Sequence, residues 1–136
     1  MDVKPPISIT GYDLERIEQL LDSKLYLNAP GLDALKSELQ RASILPQDKI
    51  PAGVITMNSE ARFVDDKTNT EYTLKLVYPH QANLPNSVSI LAPVGSALLG
   101  LSVGQSISWQ GPGGRDLNLR VLEVTYQPEA NGELHL

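Results

Sequence analysis

Residues 92–109 read APVGSALLGLSVGQSISW, and the fold turns on how this stretch is divided. Pro93 holds φ near about −65° and carries no N–H, which suits the first turn of a helix and not the interior of a central strand. Behind it, Ala97, Leu98, Leu99 and Leu101 make the segment from Gly95 to Leu101 apolar nearly all round. A helical turn of that composition must be buried, here against a sheet face. Gly95, Gly100 and Gly104 allow backbone conformations or close approaches that a side chain would obstruct. After Gly104 the residues alternate through SISW, the pattern of a strand. The stretch therefore predicts a sheet crossover built on one short helix.

The flanking sequence supplies the sheet. Downstream, GPGG (111–114) predicts a hairpin turn between SISWQ and DLNLRVLEVTYQ. Leu117, Leu119 and Val121 alternate, then Leu122 and Val124 shift the register, which predicts a bulge. Upstream, GVITMNSEARFVDD places Val54, Ile55 and Met57 before a turn at Asn58–Ser59, with Ala61, Phe63 and Val64 after it. This layout predicts two strands joined by a tight connection. EYTLKLVYP puts Tyr72, Leu74, Leu76 and Tyr78 on one face and Thr73, Lys75 and Val77 on the other; NSVSIL adds a further strand. The expectation is a strongly curved antiparallel sheet over residues 47–136.

Residues 1–46 carry a different period. Thr10 stands three residues before Asp13, the spacing of a capping box in which the hydroxyl caps the Asp13 N–H and the carboxylate reaches back. Ile9 and Leu14 flank it as a hydrophobic staple, and Leu14, Ile17, Leu20 and Leu21 form one stripe. A second helix runs from Pro30 through Leu32, Leu35, Leu39 and Ala42 until Pro46 stops it. The fold class expected is α+β, a short antiparallel helical hairpin followed by the sheet domain. The connecting SKLYLNAPG (23–31) contains Leu25, Tyr26 and Leu27 and no carboxylate. These three apolar residues fold over the helix ends or form a contact at the tip.

Composition narrows the function. The chain has 136 residues, 41% hydrophobic, with 11 Lys and Arg against 16 Asp and Glu, a formal net charge of −5. That field repels phosphate backbones, and the cations are dispersed, so a protein partner is favoured over nucleic acid. No apolar run approaches the roughly 20 residues needed to span a bilayer, and the opening MDVKPPISIT lacks a signal-peptide core. The absence of cysteine excludes disulfides and thiol catalysis. A cytoplasmic monomer is expected, the stripe of the helical pair being satisfied internally.

The segments Ala92 to Leu101, Val103 to Ile107 and Pro112 to Gly114 resemble the carboxy-terminal, FKBP-like domain of the Gre transcript-cleavage factors. With VITMNS (54–59), LVYP (76–79) and YQPEA (126–130), the chain is similar to the Rnk branch of that family, the regulators of nucleoside diphosphate kinase. The resemblance covers residues 8 to 131. It implies a bacterial, non-enzymatic transcription regulator that binds RNA polymerase near the mouth of its secondary channel. The polymerase-contacting loop, carried over by position, is Ala92, Pro93, Val94 and Gly95, with Ala92 standing where the Gre factors carry serine. In those factors a long coiled coil bears acidic residues at its tip that help hold a catalytic magnesium. Here the hairpin is short and its tip lacks Asp and Glu, which implies competition with Gre-type factors without transcript cleavage. A link to nucleoside diphosphate kinase is implied by the family name, either through direct binding or indirectly through transcription.

An enzymatic alternative, a peptidyl-prolyl isomerase or peptide-binding chaperone, needs an aromatic-lined cleft, and Trp109 is the one aromatic in that region. His80 and His135 lie in turn and tail contexts without a phosphate cradle. No metal or cofactor site and no catalytic constellation is expected.

Overall fold

The structure is a computed structural model that describes residues 6–22, 32–110 and 116–133. Leu25, Tyr26 and Leu27, the GPGG turn and His135 lie outside the described residues. The chain enters through β1 (Ser8–Thr10), then α1 (Gly11–Leu21), α2 (Leu32–Arg41) and β2 (Ser43–Leu45). The larger sheet follows as β3 (Glu60–Asp65), β4 (Thr70–Val77), β5 (Ser87–Ser89), α3 (Pro93–Leu98), β6 (Ser106–Gln110) and β7 (Asp116–Tyr126). Among the described residues no helix is long and apolar enough to cross a membrane.

Thr10 caps α1 as its spacing predicts: its hydroxyl oxygen accepts the Asp13 N–H at 3.0 Å. Ile17 and Leu21 are buried while Glu15, Glu18 and Gln19 face solvent, so the stripe packs inward. Thr10 is itself fully buried. Thr10→Ala therefore leaves a helix N-terminus uncapped away from water, with an expected loss of about 1–2 kcal/mol in urea denaturation. The helical segment is closed at its base by a feature the local pattern did not disclose: β1 and β2 pair in parallel, Ser8 opposite Ser43 and Thr10 opposite Leu45.

The large sheet has strand order β5-β4-β3-β7-β6. It is mixed, which corrects the all-antiparallel expectation. β5 runs parallel to β4, with Lys75 opposite Ser87 and Val77 opposite Ser89, because the chain passes through the 3-10 turn at Pro79–Gln81 and returns to the start of the same edge. The remaining neighbours are antiparallel. The expected strand before Asn58 is also corrected. Val54 makes an isolated bridge to Ser102, and residues 55–58 lie outside any strand although Val54, Ile55 and Met57 are buried. The apolar run reports burial, and its backbone bonds go elsewhere: Ile55 N–H to Leu101 O and Asn58 N–H to Leu76 O. Asn58 has φ of 68°, a left-handed conformation that asparagine tolerates.

Curvature comes from β7. Against β3, Arg62 faces Glu123 while Phe63 faces Val121, so Leu122 is an extra residue; Glu60 faces Tyr126 while Ala61 faces Val124, so Thr125 is another. The register shift expected at Leu122 is present and a second accompanies it. Thr125 donates its hydroxyl to the Glu60 carbonyl at 3.1 Å, partnering a carbonyl beside the second irregularity. Two bulges on one long strand bend and twist the sheet. The result is α+β, a curled mixed half-barrel. α3 packs across β4, β5, β6 and β7, and Leu98, Leu99 and Leu101 join Met57, Phe63, Leu76, Leu119 and Val121 in a core that also takes in Ile9, Ile17, Leu35 and Leu39 from the helical segment.

Candidate partner-docking site

The loop from Ser89 to Gly95 is held at both ends by its own backbone and hydroxyls. Ile90 N–H donates to Val77 O at 2.9 Å and Ala92 N–H to Ser89 O at 3.0 Å. Leu91 N–H donates to the Ser89 hydroxyl at 3.0 Å. Ser96, buried, returns its hydroxyl to Ile90 O at 2.7 Å. Pro93 occupies the first turn of α3 behind Ala92, which takes the N-cap position with extended backbone and offers no capping side chain. Proline at that position loses no hydrogen bond, because the first N–H groups of a helix have no intrahelical acceptor.

Ala92, Pro93 and Val94 are each partly exposed, and Val94 rests one side on the core. Gly95 is buried, and a Cβ built on it would fall 2.0 Å from the Ser89 carbonyl oxygen. Gly95 thus supports the loop from beneath and presents no surface of its own, so of the four candidate residues three can face a partner. Gly100, with φ of 81°, plays a second supporting role: a Cβ there would lie 2.7 Å from the Ile7 Cβ, and the Gly100 carbonyl accepts the Ser8 N–H at 3.2 Å. The end of the crossover is therefore the seat of β1. Trp109 is 6% exposed and belongs to the core, so it lines no open cleft. His80 is exposed and stacks beside Tyr78, ring centroids 6.4 Å apart.

A second cluster was missed in the sequence. Asp13 is fully buried. Its carboxylate does not reach back to the Thr10 N–H as a capping box would; Oδ2 accepts the Met57 N–H at 3.1 Å, forty-four positions along the chain. Among the described residues Oδ1 has no hydrogen-bond partner, nor has the Tyr78 hydroxyl. Burial, with Glu129 nearby, raises the Asp13 carboxyl to about 7, against the opposing pull of the Met57 N–H and Arg16. Burial and the Asp13 charge likewise push the Tyr78 phenol well above its ordinary range. The Arg16 guanidinium lies 4.5 Å from the Tyr78 ring centroid and 5.1 Å from that of Tyr12. Glu129 accepts from the Thr56 hydroxyl at 2.7 Å. These groups join α1 to the sheet domain. Their sequence signal was faint: an acidic residue in a first helical turn ordinarily faces solvent, and nothing local reveals a partner at Met57.

Comparison with known proteins matches both segments. Residues 5–45 fit the family described as Rnk N-terminus, and residues 50–126 fit Transcription elongation factor, GreA/GreB, C-term. The chain is 44% identical over 131 residues to the regulator of nucleoside diphosphate kinase of Escherichia coli K12, covering 96% of each protein. It is 28% identical over 97 residues to the elongation factor GreA of Thermodesulfovibrio yellowstonii, spanning 71% of this chain and 61% of that one. Among solved structures, a GreA/GreB elongation factor from Nitrosomonas europaea superposes with a TM-score of 0.71 at 48% identity, over 90% of this chain and all of that one. With both family segments present in order and the likeness running nearly end to end, the chain belongs to the Rnk family of regulators of nucleoside diphosphate kinase, related to the GreA/GreB transcription factors.

Proposed function

We propose that this protein is a non-enzymatic transcription regulator that binds RNA polymerase at the rim of the secondary channel, competes there with Gre-type factors, and does not stimulate transcript cleavage. The docking element is Ala92-Pro93-Val94 on an FKBP-like sheet domain, acting in the cytoplasm, with effects on nucleoside diphosphate kinase following from transcription. The observation that carries this reading is the loop itself. Its three outward residues are partly exposed, while Ser89, Ser96 and the Gly95 close approach hold its backbone. A rigid apolar element loses little conformational freedom on binding, which favours contact with a large pre-formed surface. The domain that bears it is the part shared with the elongation factors.

The helical segment supports the absence of cleavage. α1 has 11 residues, so at about 1.5 Å per residue it extends about 16 Å. An arm of that length, with a connecting sequence free of Asp and Glu, delivers no carboxylate to a distant active centre. The test is competition against a Gre factor for core polymerase, using Pro93→Ala and Val94→Asp. Val94→Asp places a charge in the contact and is expected to weaken binding about 30-fold, the scale of a hot-spot residue; Pro93→Ala is expected to weaken it less. Wild-type competition by both variants, with melting temperatures unchanged, would sink the assignment. So would cleavage of stalled transcripts by the wild-type protein.

A further inference from the structure

We propose that the groove between α1 and α2 is a self-association face, occupied by a second copy of this chain about a twofold axis. The groove encloses about 420 Å³. Its floor is apolar: Leu21 and Leu39 are buried, Leu14 is partly exposed, and Ile44 at the β2 end is 56% exposed. Its walls are charged with opposite signs. Glu18 on α1 and Asp22 at its C-cap, one turn apart, stand on one side, and Lys36 on α2 stands on the other; all three are exposed.

Among the described residues none of these three makes an ion pair, whereas Arg62 pairs with Glu71, Arg120 with Asp66 and Arg41 with Glu38. The groove keeps its own two walls from bridging. It therefore carries a pattern and that pattern's complement, side by side and uncompensated. A twofold rotation exchanges the walls, setting Lys36 of each copy against Glu18 and Asp22 of the other, so that every contact is made twice. The same rotation lays Leu14 and Ile44 of each copy over the other groove and removes them from water. An unrelated helix would have to bring both signs in matching order; a second copy has them by symmetry. The expectation of a monomer rested on the α1 stripe being covered from within, and Leu14 and Leu20, both partly exposed, show that it is covered only in part.

The apolar gain is small, and the net charge of −5 opposes association, so the dimer is weak, with Kd on the order of tens of micromolar. Sedimentation velocity on the wild-type chain, from about 1 to about 500 µM at low salt, is expected to show a reversible monomer–dimer equilibrium that weakens as salt screens the pairs. Glu18→Lys with Asp22→Lys as a double variant, and Lys36→Glu separately, should each lose at least about tenfold in self-affinity. Mixed together they should associate with each other, since both walls of the mixed pair are then complementary. A wild-type chain that stays monomeric across the whole range overturns the proposal whatever the variants do. So do folded variants that self-associate like wild type, and a mixture that fails to pair.

Discussion

Gly95→Ala lowers the melting temperature by about 10 °C, the expected consequence of about 3 kcal/mol of forced overpacking in a domain of this size. The added methyl has nowhere to go. Its carbon would lie 2.0 Å from the Ser89 carbonyl oxygen, 2.8 Å from the carbonyl carbon and 3.2 Å from the Ile90 Cα, all of them backbone. No rotamer change relieves a clash with main chain, so either α3 lifts from the β5 end or the turn at Ser89 opens. Both routes cost bonds, because Ser89 O is the acceptor for Ala92 N–H and Ile90 O the acceptor for the Ser96 hydroxyl. Gly104→Ala is the matched control. That residue has φ of 89° and nothing within 4 Å of a built Cβ, so its cost is backbone strain alone, about 1 kcal/mol. Thermal unfolding of the two variants beside wild type separates the readings. If Gly95→Ala melts within a degree or two of Gly104→Ala, the close approach at Ser89 does not constrain the crossover.

That pair of glycines also marks how far local sequence reaches. Pro93 at the start of a helix and Thr10 as a cap were legible because each rests on interactions within a few residues of itself, and Leu122 as a register shift because the break in alternation is local although the strand it pairs against is not. Gly95 was legible as a special position but not as one that presents no surface to a partner; its obstacle, Ser89, is a backbone group whose approach depends on how the crossover sits on the sheet. The strand expected at residues 54–57 failed for a related reason. Alternating or continuous apolar residues report which atoms avoid water, and Val54, Ile55 and Met57 do avoid it; they do not report whether the backbone pairs with a ladder or with single carbonyls such as Leu101 O. Parallel pairing of β1 with β2 and of β4 with β5 was likewise invisible, since strand direction is set by the path of the connection rather than by side-chain period.

The buried carboxylate makes stability depend on pH in a direction opposite to that of an ordinary ion-paired aspartate. Burial raises the Asp13 carboxyl from its ordinary 3.8 to about 7 in the folded chain, so at intermediate pH the folded state holds a proton that the unfolded state has released. Stabilisation from this proton is fully present below the unfolded value and is lost as pH rises through the folded value. Between about pH 5 and about pH 8 the loss amounts to about 2–3 kcal/mol. The cause is geometric: desolvation dominates, Oδ1 has no donor, and the Met57 N–H and the Arg16 guanidinium compensate only in part. Asp13→Asn keeps an acceptor for Met57 and removes the charge, so its stability should lack this part of the decline that wild type shows over the same interval. Other titrating groups contribute equally to both proteins, and the difference between their urea-unfolding free energies isolates Asp13. A difference that stays constant from pH 5 to pH 8 would mean that the joint between α1 and the sheet holds Asp13 ionised throughout, with its second oxygen solvated rather than orphaned.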